Sequence, residues 1–238
     1  MPMTDLTYGA AFADVYDEWY GDDAETAATV RTLTELVSHI ATPRVLELGA
    51  GTGRLAIPLA AALAAGVVVA LDESPEMLQI LRSRMAHADP SVGNVIVVEG
   101  NMADLAALST HGATAGEPFD LVFASYNTFF NLHEPGDQAR CLCAPRHATT
   151  NEVRGEWTLQ TTTDFDPVTG LIVGSTHSTR RDGREVKRPW RIRYQSPTQL
   201  DALCTAAGLE LVSRYGSWQM STFGDDAARH ISAYQLVR

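Results

Sequence analysis

Residues 44–60 read RVLELGAGTGRLAIPLA, and this stretch decides how the chain folds. An apolar run is followed by three glycines, Gly49, Gly51 and Gly53, that alternate with small residues, and a second apolar run comes after them. The pattern predicts a buried strand, a tight loop and a helix. Three glycines in so short a loop indicate that a ligand approaches the backbone closely. The rest of the sequence has to show which ligand this is.

The sequence that follows extends this unit into a repeating pattern. A strand is predicted at 67–72, a helix at 74–88, a third strand at 95–102 and a fourth strand at 119–130. Strands that alternate with helices are typical of a parallel sheet covered on both faces. We therefore predict an α/β fold with a doubly wound, mostly parallel, Rossmann-like sheet.

The segments on either side of this core have different patterns. Residues 1–40 contain two amphipathic helical patterns. Residues 155–195 contain three period-two runs joined by the turn sequences DPVTG and RDG, which predict an antiparallel meander. We therefore expect a single domain over 1–238, with a helical lid at 1–40, a cofactor-binding core at 41–140, the meander as a substrate roof at 155–195, and a helix with two strands at 196–238.

Composition and charge argue against several classes of function. The chain has 238 residues and a formal net charge of −11. An acidic surface repels phosphate backbones, so we expect no nucleic-acid partner. The longest apolar stretch, 55–71, is interrupted by Pro58 and Gly66, so no membrane span is expected, and the acidic N-terminus lacks the basic region of a secretion signal. These features favour a cytoplasmic protein, and the spacing of cysteine and histidine predicts no metal site.

The glycine pattern discriminates between the ligands that such loops hold, namely a dinucleotide, a nucleoside triphosphate or S-adenosylmethionine (SAM). A dinucleotide fingerprint needs a third glycine where Arg54 stands, and a P-loop needs Gly-Lys followed by Ser or Thr, which is absent. Asp72 ends the second strand and lies at the same edge of the sheet as the loop. In this architecture such a carboxylate binds the two hydroxyls of a ribose. A ribose without a pyrophosphate is therefore expected.

Taken in order, these motifs resemble those of class I SAM-dependent methyltransferases, in particular small-molecule enzymes of the amino-sugar and natural-product type. LELGAGTG resembles the first motif of that family, Asp72 its ribose acid, EGNM its adenine motif and FDLVFASYNTFFNL its fourth motif. The likeness is close over residues 8–140 and looser over 157–238. It implies SAM as cofactor and in-line SN2 transfer of a methyl group to an oxygen or nitrogen atom of a small molecule. A homodimer is left open.

The resemblance also implies roles for individual residues at the cofactor site. Asp72 would accept hydrogen bonds from the ribose, and Met77 would lie against the adenine. Asn101 stands where the family usually has Asp, and it keeps one acceptor oxygen for the adenine amino group. The implied cofactor-binding residues are Glu47, Gly49, Gly51, Gly53, Asp72, Met77, Asn101, Met102 and Ser125.

Further candidates lie on the acceptor side. His133 follows the fourth strand at the carboxyl edge of the sheet and is a candidate general base, with an exposed loop position as the alternative. Tyr20 would close over the cofactor from the N-terminal helices, or else serve in packing. The candidate substrate contacts are Tyr126, Asn127, Trp190 and Arg193.

The sequence departs from the family pattern after the fourth strand. Family members carry a Pro-Gly-Gly turn and a fifth strand there, whereas this chain has QARCLCAPRHATTNEVRGEW. We expect the segment 155–163 to take the place of the missing strand beside the fourth, because an uncovered edge would otherwise be exposed. The departure leaves two alternatives open, namely a methyltransferase-like binding subunit without turnover and SAM-assisted cyclisation without methyl transfer.

Overall fold

A computed structural model describes residues 8–21, 24–88, 93–103, 108, 118–132, 148–154, 156–166, 169–224, 227 and 229–237. In chain order, the helices and strands are α1 (Tyr8–Phe12), α2 (Tyr16–Tyr20), α3 (Ala24–Leu36), β1 (Arg44–Leu48), α4 (Ala56–Ala62), β2 (Val67–Asp72), α5 (Pro75–His87), β3 (Asn94–Glu99), β4 (Leu121–Ala124), a 3-10 helix (Thr128–Asn131), β5 (Ala148–Arg154), β6 (Trp157–Asp166), β7 (Leu171–Arg180), β8 (Glu185–Arg193), α6 (Pro197–Ala206), β9 (Leu209–Tyr215) and β10 (Ile231–Leu236).

Four strands form a parallel sheet in the order β3-β2-β1-β4. Strand β1 pairs in parallel with β2 on one side and with β4 on the other. Val45 and Leu46 are neighbours in β1, yet they belong to different buried apolar clusters. The first cluster also contains Leu59 of α4 and Leu78 of α5, and the second contains Val98 of β3. Because both faces of this sheet are covered, its strands read as continuous apolar runs, and the predicted fold class is confirmed.

The predicted meander is also confirmed, and it forms a second sheet in the order β5-β6-β7-β8, with antiparallel pairing throughout. Its inner face packs against α1 and α2, which we call the N-terminal helices. Trp157 of β6 is 1% exposed, and its ring lies edge-on to that of Trp19 with 6.1 Å between the centroids. We call this second sheet the roof.

The expectation for the segment 155–163 is wrong. Strand β6 begins at Trp157 and lies in the roof between β5 and β7, and among the described residues β4 pairs only with β1. The physical reason is that buried and exposed side chains alternate along β6. Trp157 and Leu159 are buried whereas Thr158 and Gln160 are exposed, so the strand has one apolar face. A position inside the central sheet would require both faces to be apolar.

A buried arginine joins the roof to the N-terminal helices. Arg188 of β8 is 2% exposed. Its guanidinium donates to the two carboxylate oxygens of Asp14 at 3.0 and 3.1 Å, to the carbonyl of Ala11 at 2.9 Å and to the hydroxyl of Ser178 at 2.7 Å. Its carbon atom also lies 5.2 Å from the ring centroid of Trp19. Charge-assisted bonds of this kind are about twice as strong as neutral ones, so Arg188 is the main polar link between these two parts of the fold.

The C-terminal part is a separate two-stranded antiparallel sheet of β9 and β10, against which α6 packs. Arg214 of β9 donates to both carboxylate oxygens of Asp201 on α6. The hydroxyl of Tyr234 donates to the same carboxylate at 2.7 Å. This network attaches the helix to the sheet. Across the described ranges, no helix combines the length and the apolar character that crossing a bilayer requires.

Replacing Arg188 by alanine should lower the free energy of unfolding by about 3 kcal/mol, because the bonds of a buried guanidinium are lost and the buried hydroxyl of Ser178 loses its charged donor. Arg184→Ala is the matched control. Arg184 also faces Asp14, at 3.7 Å, but its side chain is 57% exposed. Such a pair contributes about 0.5 kcal/mol. Urea unfolding followed by circular dichroism measures both values, and equal losses in the two variants would contradict the role of the buried bonds.

Candidate active site

The loop after β1 is built from three glycines with left-handed backbone conformations. Gly49, Gly51 and Gly53 have φ angles of +69°, +55° and +78°. A β-carbon on Gly49 would lie 2.1 Å from Thr128, and one on Gly53 would lie 2.1 Å from Leu81. At Gly51 a β-carbon would come no closer than 4.0 Å to any described neighbour. Two glycines are therefore needed for close packing, whereas Gly51 leaves space beside its backbone for a ligand.

A cleft opens beside this loop at the carboxyl edge of the central sheet. Of the predicted cofactor residues, the cleft is lined by Gly49, Gly51, Asp72, Met77 and Met102. The N-terminal helices form the opposite wall through Tyr8, Gly9 and Tyr16. Ligands bind at this edge in open α/β sheets.

Asp72 fixes the shape of the cleft. One carboxylate oxygen accepts from the backbone N–H of Gly51 at 2.8 Å, and the other accepts from the backbone N–H of Ser74 at 2.8 Å. Burial raises the pKa of Asp72, and these backbone donors partly oppose the rise. A carboxylate has about four lone-pair sites, so Asp72 retains sites that can accept from the hydroxyls of a ribose.

Glu47 supplies a second buried carboxylate at the base of the loop. Its residue is 2% exposed, and its Oε2 atom has no hydrogen-bond partner among the described residues. Burial raises the pKa of Glu47 well above its usual range, the charge of Asp72 raises it further, and Arg54 lowers it. A buried acceptor without a donor is costly, and a cation supplies what it lacks. The ammonium group of SAM offers both a positive charge and N–H donors, so the residues present fit this cofactor.

The residues of the predicted adenine end lie beyond Asp72. Met77 is 3% exposed and lines the cleft together with Met102. The side-chain amide of Asn101 donates to Glu73 at 2.9 Å, and its oxygen accepts from the backbone N–H of Ala103 at 2.7 Å. That oxygen keeps a second lone pair, so adenine recognition by Asn101 stays a prediction.

Two further tyrosines and a buried arginine lie around Tyr16 of the cleft wall. The rings of Tyr16 and Tyr20 are 5.0 Å apart. The guanidinium of Arg54 lies 4.0 Å from the ring centroid of Tyr126 and donates to the hydroxyl of Thr26 at 3.1 Å. Burial raises the pKa of Tyr16 to about 12, although Arg54 lowers it in part. Tyr16 is therefore a neutral phenol near neutral pH.

The remaining residues predicted near β4 are placed as follows. His133 lies outside the described residues, so its role as a general base stays a prediction. Ser125 is 5% exposed, and its carbonyl accepts from the backbone N–H of Thr128 at 3.2 Å. Tyr126 has a φ of +54° and is 44% exposed, and Asn127 is exposed just before the 3-10 helix. These residues surround the start of the 3-10 helix.

The two predicted substrate contacts of the roof have partners within the roof. The indole N–H of Trp190 donates to the hydroxyl of Thr176 at 3.2 Å, and a β-carbon on Gly174 would lie 2.3 Å from the indole ring. Arg193 donates to the carbonyl of Thr169 in the turn between β6 and β7. Contacts of these two side chains with an acceptor stay a prediction.

The cleft residues that sequence reasoning missed include Thr128 and Asn131 of the 3-10 helix. They follow the fourth strand within the motif SYNTFFNL. The position of a polar side chain just after a parallel strand is the signal that could have indicated them.

The glycine loop and Asp72 line one cleft at the carboxyl edge of a parallel sheet, and Glu47 is buried at the base of that loop. The comparisons with known proteins agree with the resemblance that the sequence motifs indicate. Residues 45–148 match a family described as "Methyltransferase domain". The structure of the CcbJ methyltransferase from Streptomyces caelestis is 29% identical, with a TM-score of 0.78 over 98% of this chain and 99% of that chain. The chain is therefore similar to methyltransferases, both in residues 45–148 and in its fold.

A second solved structure and a curated sequence are also similar to this chain. The SAM-bound structure of CalS10, an amino pentose methyltransferase from Micromonospora echinaspora, is 17% identical, with a TM-score of 0.55 over 85% of this chain and 89% of that chain. Release factor glutamine methyltransferase of Deinococcus radiodurans is 36% identical over 101 residues, which are 42% of this chain and 32% of that protein. The chain therefore spans about a third of the length of this curated relative.

Asp72→Ala should weaken the binding of SAM by about 1.5–3 kcal/mol, the usual range for hydrogen bonds to a charged group. Isothermal titration calorimetry measures the change. Glu185→Ala removes a carboxylate from the roof, where Glu185 faces His177 at 3.5 Å, and serves as the control. If Asp72→Ala bound SAM with unchanged affinity, the ribose assignment would be refuted.

The affinity for SAM should fall as the pH is lowered. Burial raises the pKa of both Glu47 and Asp72. The cationic part of SAM favours a deprotonated Glu47, and its ribose hydroxyls donate to a deprotonated Asp72. The affinity is therefore complete above the raised pKa values and is lost as the pH falls through them. Calorimetry in buffers of different ionisation enthalpy should show protons released on binding in that range. An affinity that does not change with pH would contradict this account.

Proposed function

We propose that the protein transfers the methyl group of SAM to an amine nitrogen of a small molecule by in-line SN2 displacement. The observation that carries this proposal is the position of Tyr16 in the wall of the cleft, across from the glycine loop. SAM, when bound, supplies a methyl group on a good leaving group. The protein has to hold the acceptor atom close to that methyl group and in line with it, which is worth about 7–11 kcal/mol.

The state of Tyr16 favours nitrogen over oxygen as the acceptor atom. A hydroxyl acceptor needs a base to remove its proton. A phenol whose pKa is raised to about 12 holds its own proton near neutral pH, so it orients an acceptor by hydrogen bonding. A neutral amine already carries the lone pair that attacks the methyl group, and orientation is all that it needs. His133 remains the candidate base should the acceptor be a hydroxyl.

The surroundings of the cleft favour a small acceptor. The roof meets the central sheet at the 3-10 helix, where the rings of Phe130 and Tyr194 are 5.6 Å apart. The N-terminal helices cover the cleft from the other side through Tyr8 and Tyr16. A site covered from two sides suits a small molecule better than a polymer. The net charge of −11 attracts an amine in its ammonium form, which loses a proton to water before the neutral amine attacks.

The other acceptor-side residues keep their proposed roles. Tyr20 packs on the ring of Tyr16 and supports its orientation. Tyr126 stands over Arg54 next to Asn127, at the end of β4 where the donor methyl would lie. We propose Tyr16 and Tyr20 as the phenols nearest to the reaction, and Trp190 and Arg193 as roof residues on the acceptor side.

The acceptor can be found with isotope-labelled SAM and a set of small molecules that offer an amine and a hydroxyl in otherwise matched pairs. Mass spectrometry should show the gain of one methyl group on the amine member of a pair. The rate should rise with pH up to the pKa of that amine, because only the neutral form attacks. Labelling of the hydroxyl member alone would refute nitrogen as the acceptor. Binding of SAM with no mass gain across the set would favour a binding subunit, and a product of unchanged mass would favour cyclisation.

A further inference from the structure

We infer that Asp17 is a positioning residue that couples the N-terminal helices to the glycine loop, so that binding of the cofactor at the loop places Tyr16 in the cleft. The inference rests on the cofactor site and is independent of the acceptor atom. It concerns a contact between two segments that line opposite walls of the same cleft.

The contact is centred on Thr52, which lies between Gly51 and Gly53. Thr52 is completely buried. Its hydroxyl donates to a carboxylate oxygen of Asp17 at 2.6 Å. Arg84 of α5 lies 3.4 Å from the same oxygen and donates to the carbonyl of Thr52 at 3.3 Å. The glycine loop, α2 and α5 therefore meet at one polar cluster.

The neighbours of these residues connect the cluster to the cleft. Gly51, which precedes Thr52, leaves space for the cofactor beside its backbone, and Tyr16, which precedes Asp17, lines the opposite wall. The path from one wall to the other thus consists of two peptide links and one hydrogen bond. Any ligand that holds the loop in its left-handed conformation also holds the partner of Asp17 in place.

The shortness of the N-terminal helices makes them depend on such contacts. Helices α1 and α2 have five residues each, and helices of this length are not stable alone in water. Their position is set by polar links to two different parts of the fold. Asp14 bonds to Arg188 of the roof, and Asp17 bonds to Thr52 of the loop.

The hydrogen bond from the Thr52 hydroxyl to Asp17 should contribute more to the coupling than the ion pair between Asp17 and Arg84. Asp17 and Arg84 have side chains that are 42% and 36% exposed, so water screens their attraction. The bond from Thr52 is shorter, and its donor is buried. Because coupling between two sites is reciprocal, a loop that orders the helices on binding a ligand must lose affinity when the link is cut.

The experiment uses S-adenosylhomocysteine as the probe and reads the N-terminal helices by hydrogen–deuterium exchange. In the unmodified protein the probe should slow exchange in the peptide that contains residues 8–21. Thr52→Val and Asp17→Ala should each lose most of this added protection and bind the probe about tenfold more weakly, the scale of a hydrogen bond to a charged group. Thr34→Val is the matched control, since its hydroxyl donates to the carbonyl of Val30 within α3.

The double variant tests the link itself. If Thr52 and Asp17 act through one bond, Thr52→Val combined with Asp17→Ala should bind the probe no more weakly than either single variant. Thr52→Ser keeps the hydroxyl that Thr52→Val removes, and it should retain most of the protection. Arg84→Met should change the affinity by less than about threefold. Thermal unfolding checks that each variant is folded. If Asp17→Ala is unstable, Thr52→Val alone tests whether the bond couples the helices to the loop.

The results that would overturn the inference differ from those that would overturn the cofactor assignment. Additive losses in the double variant, or equal protection of residues 8–21 in all variants, would overturn the inference and leave the cofactor site intact. Failure of the unmodified protein to bind S-adenosylhomocysteine would overturn the inference together with the cofactor assignment.

Discussion

The carboxylate of Asp72 ties together the three elements from which the cleft is built. It accepts from Gly51 in the loop after β1 and from Ser74 at the start of α5, each at 2.8 Å. The backbone repeats the same connection, since Gly49 and Ala50 both donate to the carbonyl of Leu71. Every other feature of the site depends on this junction, because it fixes where the backbone of the loop faces the cleft.

The junction brings two acids together in a buried place, and this has an energetic cost. Glu47 and Asp72 both have raised pKa values, chiefly because of burial, and each therefore disfavours folding at a pH above its raised pKa. The cost is relieved as the pH falls, and near neutral pH a bound cation relieves it instead. The site is thus less stable than an apolar core would be, and the same property gives it affinity for SAM.

The acceptor side is assembled from parts that are far apart in the chain. The N-terminal helices are too short to hold a position alone, and Arg188 attaches them to the roof while Thr52 attaches them to the loop. Tyr16 lies between these attachments and faces the cleft. The chemistry that we propose for a small amine therefore depends on the same contacts that stabilise this half of the fold.

The sequence alone determined the class of fold, the left-handed glycine loop and the meander, because a pattern of adjacent residues predicts each of them. The burial and conformation of adjacent residues can be predicted from apolar runs, from glycines at fixed spacing and from period-two alternation. Only the tertiary structure decided that β6 lies in the roof, that Thr128 packs against Gly49 and that Thr52 bonds to Asp17 across 35 positions of the chain. Contacts of this kind depend on how whole elements pack, and a pattern within one segment carries no information about its distant partner.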